Sequence, residues 1–167
     1  MSPLAIAVLT ISDSRTPAND TSGDLLVERL TGNGHLLASR DLVPDNVYQI
    51  RATVSNWIAD DTTDVVLATG GTGFTGRDST PEALLPLFDK TIEGFGELFR
   101  QISYEEIGSS TIQSRAVAGL TNATLIFAVP GSTNACATAW DRILQNQLDS
   151  TFKPCNFAEL ISRFNES

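Results

Sequence analysis

The sequence predicts an α/β protein, a three-layer α/β/α domain around a mainly parallel central sheet, with residues 1–167 forming one domain. Three observations predict it. Near-continuous apolar runs at Leu4–Ile11, Val65–Thr69 and Thr124–Val129 have the pattern of strands buried on both faces. Segments with helical spacing alternate with them, the order that builds right-handed crossovers. A chain of 167 residues, 41% apolar and 19% charged, can bury roughly two-thirds of its unfolded surface around one core without staples.

The first run lies in MSPLAIAVLTISDSR, which lacks a basic leading region and is broken by Thr10, Ser12 and Asp13, so it reads as a strand rather than a signal peptide. Thr21 followed by Asp24 resembles a capping box opening a short helix that carries Leu25, Leu26 and Leu30 and stops near Gly32 or Gly34. His35–Leu42 is a weaker strand, and His35, the only histidine, reads as structural. Val47, Ile50, Val54, Trp57 and Ile58 share one stripe of a helix from Asn46 to Ala59, with Asp45 or Asn46 as its N-cap. Thr80-Pro81 opens a further helix, with Thr80 as cap and Pro81 in the first turn. Helical spacing returns at Phe95, Leu98, Phe99 and Ile102 and again at Cys136, Ala139, Trp140, Ile143 and Leu144; both tryptophans read as core. The segment Ile107–Thr121 reads as a short helix or an irregular lid.

A net charge of −9 with only eleven scattered Lys and Arg excludes a generic nucleic-acid surface, and no apolar run is long enough for a membrane span. A small anionic ligand is not excluded. Two unit charges 4 Å apart interact by about 1 kcal/mol in water and about 4 at an effective dielectric of 20, so local donors outweigh distant charge. Cys136 and Cys155 lack metal-ligand spacing, which favours a reducing cytoplasm.

Four glycines fall within Gly70 to Gly76, directly after the strand Val65–Thr69. The formal G-x-G-x-x-G at 71–76 does not fit a dinucleotide turn, because the helix starts only near Pro81. A P-loop fails too, since Arg77-Asp78 stands where Lys and Ser or Thr are needed. What fits is a loop whose glycines, through positive φ and close backbone approach, let amides encircle a phosphate at the carboxyl end of a strand. Pro130-Gly131-Ser132 repeats the design after Thr124–Val129.

These residues, with DTSGD (20–24), RDSTPEA after GGTG, GFGELFRQIS (94–103), QSRAVAGL (113–120) and VPGSTNAC (129–136), resemble the MoaB/MogA family of molybdenum cofactor biosynthesis. The likeness runs from about Leu4 to Phe157, and EALLPLFDKTIEGFGE with KPCNF is most similar to MoaB-type members. It implies the molybdopterin-binding fold and a homo-oligomer, trimer or hexamer. It also implies binding of molybdopterin and, in active relatives, its adenylylation by Mg-ATP. On this resemblance Asp78 and Asp45 are the catalytic and metal-binding acids. Asp78 could otherwise be a turn residue, and Asp45 a helix cap. Gly70, Gly71, Thr72, Gly73, Pro130, Gly131 and Ser132 are the phosphate loops. Ser12 and Asp13 reach the same crevice or simply close the first strand, while Arg115 and Arg77 contact phosphate or bridge to solvent and subunits. A carrier that binds molybdopterin or a precursor without turnover is the alternative.

Overall fold

The computed structural model describes residues 2–164 and Glu166. Six strands, β1 (Ala5–Ile11), β2 (Leu36–Val43), β3 (Val65–Thr69), β4 (Lys90–Thr91), β5 (Val117–Thr121) and β6 (Thr124–Val129), form one sheet in the order β2-β1-β3-β6-β5-β4. The pairs β1–β2, β1–β3 and β3–β6 are parallel, and β5 is antiparallel to both neighbours. Period 2 divides the apolar runs between two cores. Ile6, Val8, Val65, Leu67, Leu125 and Phe127 face one side. Ala7, Leu9, Val66, Ala68, Ile126 and Ala128 face the other.

Helices cover both faces, which is why the runs contain no polar alternation. On the first face lie α1 (Thr21–Gly32), α4 (Glu93–Ile107) and α5 (Thr133–Ala139), the last running through a π-helical turn (Trp140–Leu144) into α6 (Gln145–Gln147). On the second lie α2 (Val47–Ile58) and the short α3 (Thr80–Leu84). Burying a large apolar side chain such as Trp140 or Ile50, both fully enclosed, contributes about 1.5–3 kcal/mol each. Trp57 is only half-buried, at the edge of the second core.

Several caps differ from expectation. Asp20, not Thr21, caps α1, its carboxylate accepting from Gly23 N at 3.0 Å. Asn46 caps α2, accepting from the amides of Tyr48 and Gln49 at 3.0 and 3.1 Å, which frees Asp45. Thr80 caps nothing: its hydroxyl donates to the Gly70 carbonyl at 2.8 Å, because the buried position turns it toward the glycine loop. The segment 107–121 is neither a helix nor a lid throughout. It makes a 3-10 turn (Gly108–Gln113) and then β5, which pairs with β6 through the tight positive-φ turn at Asn122 and Ala123. His35 is structural, its Nδ1 accepting from Leu4 N at 3.2 Å, and burial pushes its pKa down.

Candidate functional site

The chain leaves β1 outward to β2 and then returns to place β3 on the other side of β1, a reversal of strand order that opens a crevice at the carboxyl ends. There, the ends of β1, β3 and β6 line a cleft of about 420 Å³. It collects Ser12, Gly70, Gly71, Thr72, Gly73, Asp78, Pro130 and Gly131 from the sequence-derived set.

The two turns meet. A Cβ on Gly131 would stand 3.1 Å from Gly70 Cα, and Thr69 Oγ1 donates to the Pro130 carbonyl at 3.0 Å. Gly70 and Gly71 have φ of +105° and +64°, a conformation that disfavours side chains. A Cβ at Gly70 would also collide with the Ile11 carbonyl oxygen. Gly73 does not adopt positive φ; it is required for closeness, since its Cβ would lie 2.8 Å from Asp78 Oδ2. The Gly70 amide continues the sheet by donating to the Val129 carbonyl at 3.0 Å. Among the described residues, the amides of Gly71, Thr72 and Gly131 find no protein acceptor. All three residues line the cleft.

Asp78 shapes its own loop as well as lining the cleft. Its Oδ2 accepts from Thr75 N at 2.7 Å, and its amide donates back to the Thr75 carbonyl at 3.1 Å. Hydrogen bonds from Thr75, outweighing burial and helped by the Gly73 amide and the Arg115 charge, hold its carboxyl below the ordinary range. Turn residue and cleft acid are thus one and the same. The five-residue α3 that follows is too short to supply a large dipole field.

Other expected site residues stand behind the cleft wall. Asp45 Oδ1 accepts from Ser79 N and Oγ at 3.1 and 2.5 Å, its Oδ2 packs against Gly71, and it lines a separate depression with Asn46, Gly76 and Arg77. Asp13 accepts from Asp45 N at 3.1 Å and pairs with Arg77 at 2.7 Å, so both are spent on bracing the loop. Arg115 donates from Nε to the Gly73 carbonyl at 2.7 Å and from Nη2 to the Asp78 carbonyl at 3.2 Å, pairs with Glu82, and stacks over Phe74 at 5.1 Å. It clamps the glycine loop and is absent from the cleft lining. Ser132 caps α5, accepting from Ala135 N at 3.1 Å.

The cleft also holds residues that the sequence reading passed over: Thr10, Arg15, Ile107, Ser110, Gln113 and Ser114. Arg15 had a local signal, since the Ser12 hydroxyl accepts from its amide at 3.1 Å in a turn that SDSR spells out. Thr10 lies near the end of β1, while Ile107, Ser110, Gln113 and Ser114 come from the end of α4 and the 3-10 turn that follows it, which only tertiary folding brings to the cleft. Cys136 lies close behind, but burial pushes its thiol up to about 11, which rules out a ready nucleophile.

Among the described residues no group of three or more His, Cys, Asp or Glu gathers in a metal-holding arrangement. Magnesium does not require one, because it keeps waters and is held by one or two carboxylates together with substrate phosphates. Asp78, ionised and facing the cleft, fits that donor set.

The family model described as "Probable molybdopterin binding domain" matches residues 7–150. Molybdenum cofactor biosynthesis protein B of Escherichia coli (strain K12) is 57% identical over 155 residues, covering 93% of this chain and 91% of the relative. A solved structure of a molybdenum cofactor biosynthesis protein B superposes with a TM-score of 0.85 at 43% identity, covering 88% of this chain and 92% of the other. The tungsten cofactor synthesizing protein MoaB from Pyrococcus furiosus does so with a TM-score of 0.78 at 36% identity, covering 87% and 93%. With its fold, its paired strand-end turns and these relatives in agreement, the chain belongs to the MoaB/MogA family of molybdenum cofactor biosynthesis proteins, on the MoaB side.

Proposed function

We propose that the cleft binds molybdopterin and that the chain adenylylates its terminal phosphate with Mg-ATP. A terminal phosphate oxygen attacks the α-phosphorus of ATP, the bond to the β-phosphate oxygen breaks, and pyrophosphate leaves. One observation carries the reading: two glycine-bearing turns touch at Gly70 and Gly131 and leave the Gly71, Thr72 and Gly131 amides free beside the Asp78 carboxylate. Transfers of this kind depend on positioning and charge neutralisation, which free amides supply without a covalent nucleophile. Magnesium, when bound, would neutralise phosphate charge at Asp78. Asp45 holds Ser79 and the back of Gly71, and so positions the loop that carries Asp78.

The place of Asp45 also favours a second reading, in which the chain holds molybdopterin or a precursor without turnover, because among the described residues Asp78 is the only acid lining the cleft. Incubation with molybdopterin and Mg-ATP separates the two. Pyrophosphate release is expected for the enzyme; tight pterin binding without release identifies the carrier.

The same reading places the whole chain, as one domain, in the cytoplasm as a homo-oligomer, trimer or hexamer. Exposed Phe74, Tyr104, Ile107 and Ile112 are apolar surface that assembly would cover, and no helix among the described residues is long and apolar enough to cross a membrane. A solution mass equal to one protomer would contradict the assembly.

A further inference from the structure

We infer that the chain has a second ligand site, a pocket for an uncharged, flat, two-ring aromatic or heteroaromatic molecule with an amide-like edge. The pocket is about 360 Å³ and lies between the start of α4, the residues after the π-helical turn and the C-terminal stretch. Its wall is a pile of rings. Phe95 meets Phe127 edge-to-face at 5.1 Å, and Phe127 meets Phe157 in the same manner at 6.3 Å. Phe157 is held there by its own amide, which donates to the Gln147 carbonyl at 2.9 Å. The pocket is separate from the strand-end cleft and does not depend on what the cleft binds. Ile107, at the far end of α4, lines the cleft, whereas Gly94 lines the pocket, and a helix rise of about 1.5 Å per residue sets the two ~20 Å apart.

Size, charge and hydrogen bonding together name the occupant. A dry cavity of about 150 Å³ lined by Leu, Ile and Phe takes one benzene, so this pocket has room for two fused rings. Arg142 is the only ionisable residue lining it among the described residues, and it is paired with Glu105 at 3.3 Å, which leaves no free charge to hold an ion. Asn146 and Gln147, half-buried in the lining, have side-chain amides without a protein partner among the described residues. A carboxamide offers a donor beside an acceptor, the complement of a lactam edge. They follow the π-helical turn Trp140–Leu144, a feature that recurs at functional sites. Gly94 adds an independent observation. It is a helical glycine without positive φ, and a Cβ there would meet nothing within 4 Å, so neither backbone nor packing requires it, although glycine is the poorest helix former after proline. Its small size keeps the wall of the pocket open.

Saturation-transfer NMR titrations of the full chain with quinazolin-4-one and with naphthalene test the site. Both are neutral two-ring compounds, and only the first has a lactam edge. Quinazolin-4-one is expected to bind with a Kd on the order of 10⁻⁴ M, and naphthalene about tenfold more weakly, the worth of one or two net hydrogen bonds. The paired substitution Asn146→Ala and Gln147→Ala should bring the two affinities to within about twofold of each other. Gly94→Leu should weaken both compounds by about tenfold or more, because the added side chain takes up their space. Folding is not at risk in that variant, since the Cβ has open space and leucine is the better helix former, and a thermal melt verifies it. Saturating Mg-ATP should displace neither compound. A wild-type chain that binds neither compound, or wild-type affinity in Gly94→Leu, overturns the site. Equal affinity of the wild-type chain for the two compounds overturns the amide edge and with it the ligand class. Displacement by Mg-ATP puts the compounds in the cleft and overturns the second site. A Gly94→Leu chain whose solution mass falls below that of the wild type makes the pocket an interface between copies, which overturns it too.

Discussion

Asp78→Asn is expected to lower pyrophosphate release by about 10²–10³-fold, the size of loss seen when one preorganised electrostatic group of an active site is removed, here the carboxylate that would hold the metal. The substitution keeps shape, and the side-chain oxygen can still accept from Thr75 N, now 2.7 Å from Oδ2. Folding stability should therefore change by no more than about 1 kcal/mol. The amide loses the charge that a metal needs, so the defect should appear as weaker Mg-ATP binding together with slower turnover. A variant that unfolds would make Asp78 a structural residue alone. Unchanged turnover would put the metal elsewhere, and the pairing of Asp78 with the free loop amides would lose its meaning.

Asp20→Ala is expected to cost about 3 kcal/mol. Losing an N-cap accounts for about 1 kcal/mol. Breaking a buried charge network costs about 3–5 kcal/mol when the stranded partner has no water, and less here because Arg15 and Arg40 keep partial access to solvent. For a chain of this size the melting temperature should fall by roughly 6–12 °C. The acid is 1% exposed and accepts from Thr10 Oγ1 at 2.7 Å, Gly23 N at 3.0 Å and Arg40 at 3.0 Å. Burial alone would raise its pKa, but the bonds from Thr10, Arg40 and Gly23 and the charge of Arg40 win, and the pKa is lowered from 3.8.

The sign of the pH effect follows. A depressed carboxyl pKa in the folded state stabilises the protein above the unfolded value of 3.8, and this is lost as pH falls through the folded value. Wild type should lose this contribution below about pH 4, while Asp20→Ala should show a flatter acid limb. Urea midpoints at pH 7 and pH 3 measure both effects, and identical midpoints at pH 7 would refute the network.

The buried strands were readable because burial on both faces removes the polar alternation, leaving short apolar runs such as VVLAT and TLIFAV whose length and Val/Ile content favour strand over helix. β5 was not readable. VAGLT is short, follows a polar stretch, and becomes a strand only because β6 pairs with it through a tight turn. The caps show the same limit from the other side. Asp20 and Thr21, or Asp45 and Asn46, are equally able to cap, and the choice falls to whichever backbone turns first. In both pairs the choice has consequences: Asp20 becomes the buried hub of two arginines, and Asp45 is released to Ser79.

Local chemistry by itself determined the fold class and the two glycine turns, since each needs only a short stretch of chain: a buried run, or residues that tolerate positive φ; Asp78 entered as a site acid only through the family resemblance. Tertiary structure decided which charged groups line the cleft. Arg15 enters the cleft while Arg115, Arg77, Asp13 and Asp45 are consumed in bracing its walls. A charged side chain is long and can satisfy itself in several directions, so its role is set by whichever partner the packed elements bring within about 3 Å, and no local pattern encodes that distance.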